Sequence, residues 1–350
     1  MYKEQMQELC KTLKQKKDVI ILGIETSCDE TSVAIVKNGR EVLANVISTQ
    51  IEIHTRFGGV VPEVASRNHI EAITNVLNEA LSEASLTLEQ IDAIAVTYGA
   101  GLIGALMVGV SFAKSLAYAL KKPLIAVNHI KGHMSANYIE HKDLEPPFIG
   151  LIVSGGHTAI VEVTSFVSQN LIGSTLDDAI GEAFDKVARV IGLGYPGGPK
   201  IDKMAKQGKN CIKFAGDSLK KSYDSSFSGL KTAVINYVNT LRQKGKDLPM
   251  EDICCSFQCQ AVDPLVEKTI RACKQKGYKK LCVAGGVSAN SYLRERLEKR
   301  GKEEGVQIFA PSLKLCTDNA AMIASVGYFN LLNDIGISDI DLDAVSNIEI

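Results

Sequence analysis

The sequence predicts an α/β protein built as two lobes. Three observations carry that prediction. The chain has 350 residues, more than one ordinary core supports. Short apolar runs alternate with stretches whose apolar residues recur at helical spacing, the pattern of α/β folds. The opening arrangement, two strands joined by a polar turn and followed by a third strand, occurs twice, near residues 19–48 and near 147–175. The two halves are not similar residue by residue, so the repeat is one of architecture.

VIILGI, residues 19–24, is a continuous apolar run and reads as a buried strand. The polar turn ETSCDE follows, then the strands TSVAIV and EVLANVIS. Past a Gly/Pro loop, Ile70, Ile73, Leu77 and Leu81 mark an amphipathic helix. IDAIAVTY is a strand, GLIGALMVGVSFAKSLAYAL a helix read as buried on most sides, and PLIAVN a strand. In the second half PFIGLIVS, AIVEV and QNLIGST are strands, with GGHT as a turn. Helices are expected over about 178–191, 226–241 and 251–277. The strand KLCVA, the turn GGVSAN, a helix near 291–304 and a last helix from near Asp318 complete the pattern. The expected divisions are an N-terminal extension (1–18), a first lobe (19–131 plus about 313–335), a second lobe (132–312) and a tail (336–350).

Composition is that of a soluble globular protein, 45% apolar and 23% charged. The formal net charge of −1 does not announce a nucleic-acid binder, although local basic patches still can. The nine cysteines are odd in number and contain no C-x-x-C, which excludes a disulfide framework and fits a reducing, cytoplasmic setting. Cys254, Cys255 and Cys259 read as small buried thiols on a helix, with metal binding the rival reading. The N-terminus is lysine-rich, without an apolar signal region, and reads as an amphipathic or frayed extension. AGLIGALMVGVSFA falls short of the ~18 apolar residues that span a bilayer, so no membrane is expected.

Five stretches carry candidate chemistry. GIETSCDETSVAI sets Thr26, Ser27, Asp29, Glu30 and Thr31 in a tight turn; acids there act through a metal or accept protons, unless the turn is an ordinary hairpin. LIVSGGHT offers Gly155 and Gly156, whose backbone can approach a phosphate, with the Ser154 hydroxyl beside them. In CVAGGVSANSYL, Gly285 and Gly286 allow close approach of a nucleotide, and Asn290 is placed to hold a ribose or phosphate. LGYPGGPKIDKMA sets Gly197 and Gly198 between prolines, with Asp202 expected on the first turn of a helix. In VNHIKGHMSANYIE, His129 and His133 stand four apart, on one helical face and suited to one metal. The zinc-peptidase pattern H-E-x-x-H needs a general base after the first histidine; that position is Ile130.

Taken together, GIETSCDETSVAI, GGVVPEVASRNHI, GAGLIGALMVGVSFAKSLA, NHIKGH, LIVSGGHT, GEAFDKVARVIGLGYPGGP, SFSGLKTA, VAGGVSAN and CTDNAAMIA resemble the TsaD/Gcp (Kae/Qri) family of tRNA threonylcarbamoyladenosine (t6A) transferases, from about Val19 to Tyr328. The resemblance implies the bilobal actin/hexokinase/Hsp70-like (ASKHA) fold. It implies one divalent metal ion, iron ahead of zinc, on His129, His133 and Asp318. Nucleotide and substrate contacts map onto Ile152, Val153, Ser154, Gly155, Gly156, Asp185, Gly198, Asp202 and Asn290, and the acidic turn onto Asp29 and Glu30 as catalytic candidates. The implied donor is threonylcarbamoyl-AMP, in a cleft that also takes ATP or ADP. The implied acceptor is N6 of the adenosine 3′-adjacent to the anticodon in tRNA. TsaB-like and TsaE-like proteins are the implied partners, with a TsaC-type synthase supplying the donor. The sequence departs from the family at Ala100, where Pro is common, at Ala320, where Gly is common, and in its tail. An ASKHA-type small-molecule kinase and a non-catalytic nucleotide-binding subunit are the competing functions; neither requires both histidines and Asp318. Basic stretches for tRNA are KSLAYALKK with IKGH, LKKSYDSSFSGLK, and RERLEKRGK.

Overall fold

The computed structural model describes residues 2–214 and 219–348. The chain divides into two compact units, Met1–Glu145 with Ser165–Gln169 and Thr317–Ile350, and Pro146–Thr164 with Asn170–Cys316. The first unit holds α1 (Tyr2–Leu13), β1 (Ile20–Glu25), β2 (Glu30–Lys37), β3 (Glu41–Thr49), α2 (Ile51–Thr55), α3 (Pro62–Ala84), β4 (Ala93–Gly99), α4 (Ile103–Leu120), β5 (Leu124–Asn128) and α5 (His129–Glu140). The second holds β6 (Phe148–Val153), β7 (Thr158–Val163), β8 (Gln169–Ser174), α6 (Ile180–Ile191), α7 (Gly197–Ala205), α8 (Ser228–Gln243), α9 (Met250–Lys276), β9 (Lys280–Ala284), α10 (Ser291–Glu304), β10 (Gln307–Phe309) and α11 (Leu313–Cys316). The chain then returns to the first unit as α12 (Ala320–Leu332) and β11 (Ile337–Ser338).

The repeat in the sequence is a repeat of strand order. The first sheet runs β11-β5-β4-β1-β2-β3 and the second β10-β9-β6-β7-β8. In each, the first strand of the repeat sits centrally, antiparallel to the second and parallel to the fourth. β1 and β6 are buried almost throughout, as continuous apolar runs require of strands covered on both faces. The second unit departs from a simple alternation, because four helices, α6 to α9, stand between β8 and β9.

α12 lies against β1, and one glycine sets how close. A Cβ on Gly23 would stand 2.3 Å from the Ala320 carbonyl oxygen and 2.8 Å from the Ala324 nitrogen. The N-terminal extension is an amphipathic helix with Met6, Cys10 and Leu13 buried. The turn after it is tied down by Lys16, whose Nζ donates to Asp92 at 2.7 and 2.8 Å. The tail packs on the same unit: Val345 N donates to Tyr98 O at 2.8 Å and Gly101 N to Ser346 O at 3.0 Å.

The reading of α4 needs correction. Only Ala105, Leu106, Gly109, Val110, Ala113 and Ala117 are buried, a single stripe of mostly small residues. Ile103 and Met107 are half exposed, at 48% and 56%, and Tyr118 is 64% exposed. The 18-residue helix is also long and apolar enough to cross a membrane by length and composition. High average hydropathy does not say which face is covered. Here one stripe, Ala105, Leu106, Gly109, Val110, Ala113 and Ala117, faces the core, while Ile103, Met107 and Tyr118 face outward.

Candidate metal centre

Three parallel strands end side by side. β1, β4 and β5 are neighbours, in register through Ile24↔Val96 and Thr97↔Val127. Their last residues therefore gather Glu25, Thr97 and the start of α5 at one edge of the sheet. Asn128 opens α5, its side-chain oxygen accepting from Ile130 N at 2.9 Å. His129 and His133 then fall one turn apart, and their rings meet edge to face with centroids 4.6 Å apart. Ile130 is buried, so the position where a peptidase carries its base points into the core.

Asp318 arrives just before α12. Asn319 caps that helix by accepting from Met322 N at 3.2 Å, and Ser32 of β2 accepts from Ala320 N at 2.9 Å. Asp318 Oδ1 then stands 3.4 Å from His129 Nε2 and 3.5 Å from His133 Nε2. The three ligand atoms lie within 4.8 Å of one another, close enough together to face a single ion. The donor set of two imidazoles and a carboxylate suits iron or zinc.

Behind His129 lies Glu25, fully buried. Its Oε2 is 3.0 Å from His129 Nδ1 and accepts from Thr97 Oγ1 at 2.6 Å, while its Oε1 accepts from Ser27 N at 2.5 Å. Burial pushes this carboxyl up, but the charge of His129 and the hydrogen bonds from His129, Ser27 and Thr97 outweigh it and hold it down to about 2. Burial likewise disfavours charge on His129, and the carboxylates of Asp318 and Glu25 override it, lifting the ring to about 9. Asp318 is pushed up to about 6, chiefly by burial, against the pull of His129.

The acidic turn lies beside this cluster. Asp29 is buried. Glu30 accepts from Thr49 Oγ1 at 3.3 Å, and burial together with Asp29 and Asp318 pushes it up to about 10. His69 of α3 braces the turn: its Nε2–H donates to Cys28 O at 2.9 Å, so its Nδ1 accepts from Thr31 Oγ1 at 2.7 Å. Burial pushes this imidazole below its usual range.

In the second unit the nucleotide candidates group around the end of β6. Ile152 and Val153 are buried, so they offer only backbone. Gly181 N donates to Ser154 O at 3.2 Å. A Cβ on Gly285 would stand 2.4 Å from Val153 O, whereas around Gly155, Gly156, Gly198 and Gly286 there is open space. Gly197 instead packs on α6, where Asp185 accepts from its N–H at 2.7 Å. Asp202 lies in the second turn of α7, not the first, and accepts from Ser291 N at 3.2 Å and Oγ at 2.9 Å. Asn290 caps α10, accepting from Leu293 N at 2.9 Å and donating to Gln258 Oε1 at 2.8 Å.

The cysteine cluster lies on α9 with Cys254 and Cys259 buried, and all nine cysteines are free. Among the described residues, His129, His133 and Asp318 are the group suited to a metal. Of the basic stretches, RERLEKRGK is largely engaged: Arg294 donates to Ser288 O and Pro311 O, Arg296 pairs with Asp263, and Arg300 with Glu267, Glu303 and Glu304. Lys231 pairs with Asp178 and Lys114 donates to Leu342 O, while Lys220 and Lys221 are exposed. Reasoning from sequence passed over Glu25. Its one signal was a carboxylate closing an otherwise apolar strand.

Known proteins match this architecture. The profile of the TsaD family, tRNA N6-adenosine threonylcarbamoyltransferase, matches residues 41–325. A protein of that name from Clostridium perfringens (strain 13 / Type A) is 56% identical over 95% of this chain and 98% of its own length. Another, from Clostridioides difficile (strain 630), is 55% identical over 95% and 99%. Among solved structures, HypF of T. kodakarensis aligns with TM-score 0.61 at 13% identity, over 91% of this chain and 48% of its own. The (R)-2-hydroxyglutaryl-CoA dehydratase component A of Acidaminococcus fermentans aligns with TM-score 0.52 at 15% identity, over 89% and 99%. At such identities these structures speak for the fold alone, the ASKHA class. The chain belongs to the TsaD family of tRNA N6-adenosine threonylcarbamoyltransferases.

Proposed function

We propose that this chain transfers the threonylcarbamoyl group of L-threonylcarbamoyl-AMP to N6 of the adenosine 3′-adjacent to the anticodon, forming t6A in tRNAs that read ANN codons. The observation that carries the reading is the convergence of His129, His133 and Asp318, with ligand atoms within 4.8 Å, beside the acidic turn of Asp29 and Glu30. One divalent ion held there, Fe2+ ahead of Zn2+, supplies a Lewis acid and a template for the donor's oxygens. The acceptor amine attacks the carbamoyl carbon, its N–C bond forms, and the bond to the phosphate oxygen breaks to release AMP. Asp29 takes the proton the amine loses. The open backbone at Gly155, Gly156 and Gly198 admits the phosphate and ribose. On this reading Ser154, Asp185, Asp202 and Asn290 are further contacts of the donor, and Ile152 and Val153 contribute backbone.

TsaB-like and TsaE-like proteins complete the assembly, a TsaC-type synthase provides the donor, and the reaction belongs to the cytoplasm. The outward Ile103 and Met107 of α4, with Ile70 of α3 at 63% exposure, favour a protein partner on that side of the first unit. The test is reconstitution with the donor-forming enzyme, partner proteins and unmodified tRNA. Nucleoside mass spectrometry should find t6A, and the His129→Ala, His133→Ala double variant should lose both metal and product. A wild-type mixture that yields no t6A while turning over a sugar or peptide would overturn the reading.

A further inference from the structure

We propose that Glu25 is a positioning residue of the metal centre, fixing through His129 the ring nitrogen that faces the ion. The inference rests on the reading of His129, His133 and Asp318 as metal ligands. A histidine can ligate through either nitrogen, and the hydrogen bond at one decides the role of the other. Here Nδ1 faces Glu25 Oε2 at 3.0 Å and Ser27 Oγ at 3.1 Å, while Nε2 faces Asp318 at 3.4 Å. A carboxylate only accepts hydrogen bonds. His129 Nδ1–H thereby donates to Glu25 Oε2, and the Nε2 lone pair is left for the ion.

The carboxylate is itself held from three sides. Ser27 N–H fixes one oxygen at 2.5 Å, and Thr97 Oγ1 at 2.6 Å shares the other with His129. Those donors come from the turn after β1, from β4 and from the first turn of α5, so the aim of the ring is set by the sheet. A charge buried this completely is costly unless paired. A tie between two strands needs only neutral groups, whereas a carboxylate strengthens the imidazole as a ligand and offsets the charge of a divalent ion.

The test uses Co2+ as probe, with its dissociation constant taken by chelator competition on the full chain. Glu25→Gln keeps the size of the side chain and removes its charge. It should weaken Co2+ about 10–100-fold, and the slowly exchanging imidazole N–H signal of His129 in the Zn2+-loaded protein should shift or broaden. A purely structural tie would lower the melting temperature and leave both readouts in place. Glu25→Gln that folds and binds Co2+ within about twofold of wild type overturns the inference alone. A wild-type chain that binds no Co2+ overturns the metal reading with it. Should Glu25→Gln fail to fold, Thr97→Val decides: several-fold weaker binding supports the assignment, and unchanged binding overturns it.

Discussion

Burial and the neighbouring Asp29 and Asp318 push Glu30 up to about 10, which favours its protonated form. A protonated acid cannot serve as a base, so on the reading proposed above the two members of the turn would divide their roles. Glu30→Gln preserves a neutral hydrogen-bonding group and should change kcat only a few-fold. Asp29→Asn removes the proton acceptor of the proposed reaction and should cost about 10²–10⁴-fold. Single-turnover measurements with preformed donor compare the two, and a loss at Glu30→Gln as large as that at Asp29→Asn would overturn the division of roles. The histidine pair and the acidic turn were legible in the sequence because their spacing is local. Glu25 was not, since its partner His129 lies 104 residues away and only strand pairing brings them together.

Helices and strands were legible wherever periodicity was strong, and least so where a face had to be chosen, as on α4. Two contacts between elements make testable claims. Gly23 lets α12 approach β1, and Gly23→Ala drives a Cβ into backbone at Ala320 and Ala324. Overpacking of this kind costs about 1–3 kcal/mol. Urea unfolding should place this variant at the upper end, with weaker metal binding because Asp318 leads into the displaced helix. Asp177 caps α8 from a distance, accepting from Phe227 N at 2.8 Å, Ser228 N at 3.2 Å, Ser226 Oγ at 2.5 Å and Ser228 Oγ at 2.6 Å. Burial opposes its charge, but these hydrogen bonds prevail and lower it to about 2. A depressed carboxyl stabilises the fold above its ordinary value and ceases to do so as pH falls through about 2. Asp177→Ala should therefore lose about 1 kcal/mol at neutral pH, an effect kept modest by solvent screening at this exposed site. The gap to wild type should narrow steadily below pH ~4, and a gap constant down to pH ~2 would contradict the capping role.

For the whole molecule, a net charge of −1 provides no general attraction to tRNA, so phosphate contacts must come from local clusters. The exposed Lys220 and Lys221 are better placed for this than Arg296 and Arg300, which are already paired with acids. Lys220→Glu with Lys221→Glu should weaken tRNA binding and reduce its salt slope by about one per lost contact. Arg300→Glu should leave that slope alone. Filter binding across a salt series checks both, and a double lysine variant with wild-type slope would move the tRNA surface elsewhere. The first unit is also discontinuous. Its histidines lie on α5, but Asp318 and α12 follow the entire second unit. During synthesis, β1 to α5 leave the ribosome long before Asp318 exists. The three side chains can come together only after residue 318 has emerged, so on the proposed reading a product truncated before it could not become metal-loaded at this site. On the metal reading proposed above, uptake would be a late checkpoint, reached only by a molecule in which α5 and the segment before α12 have already met.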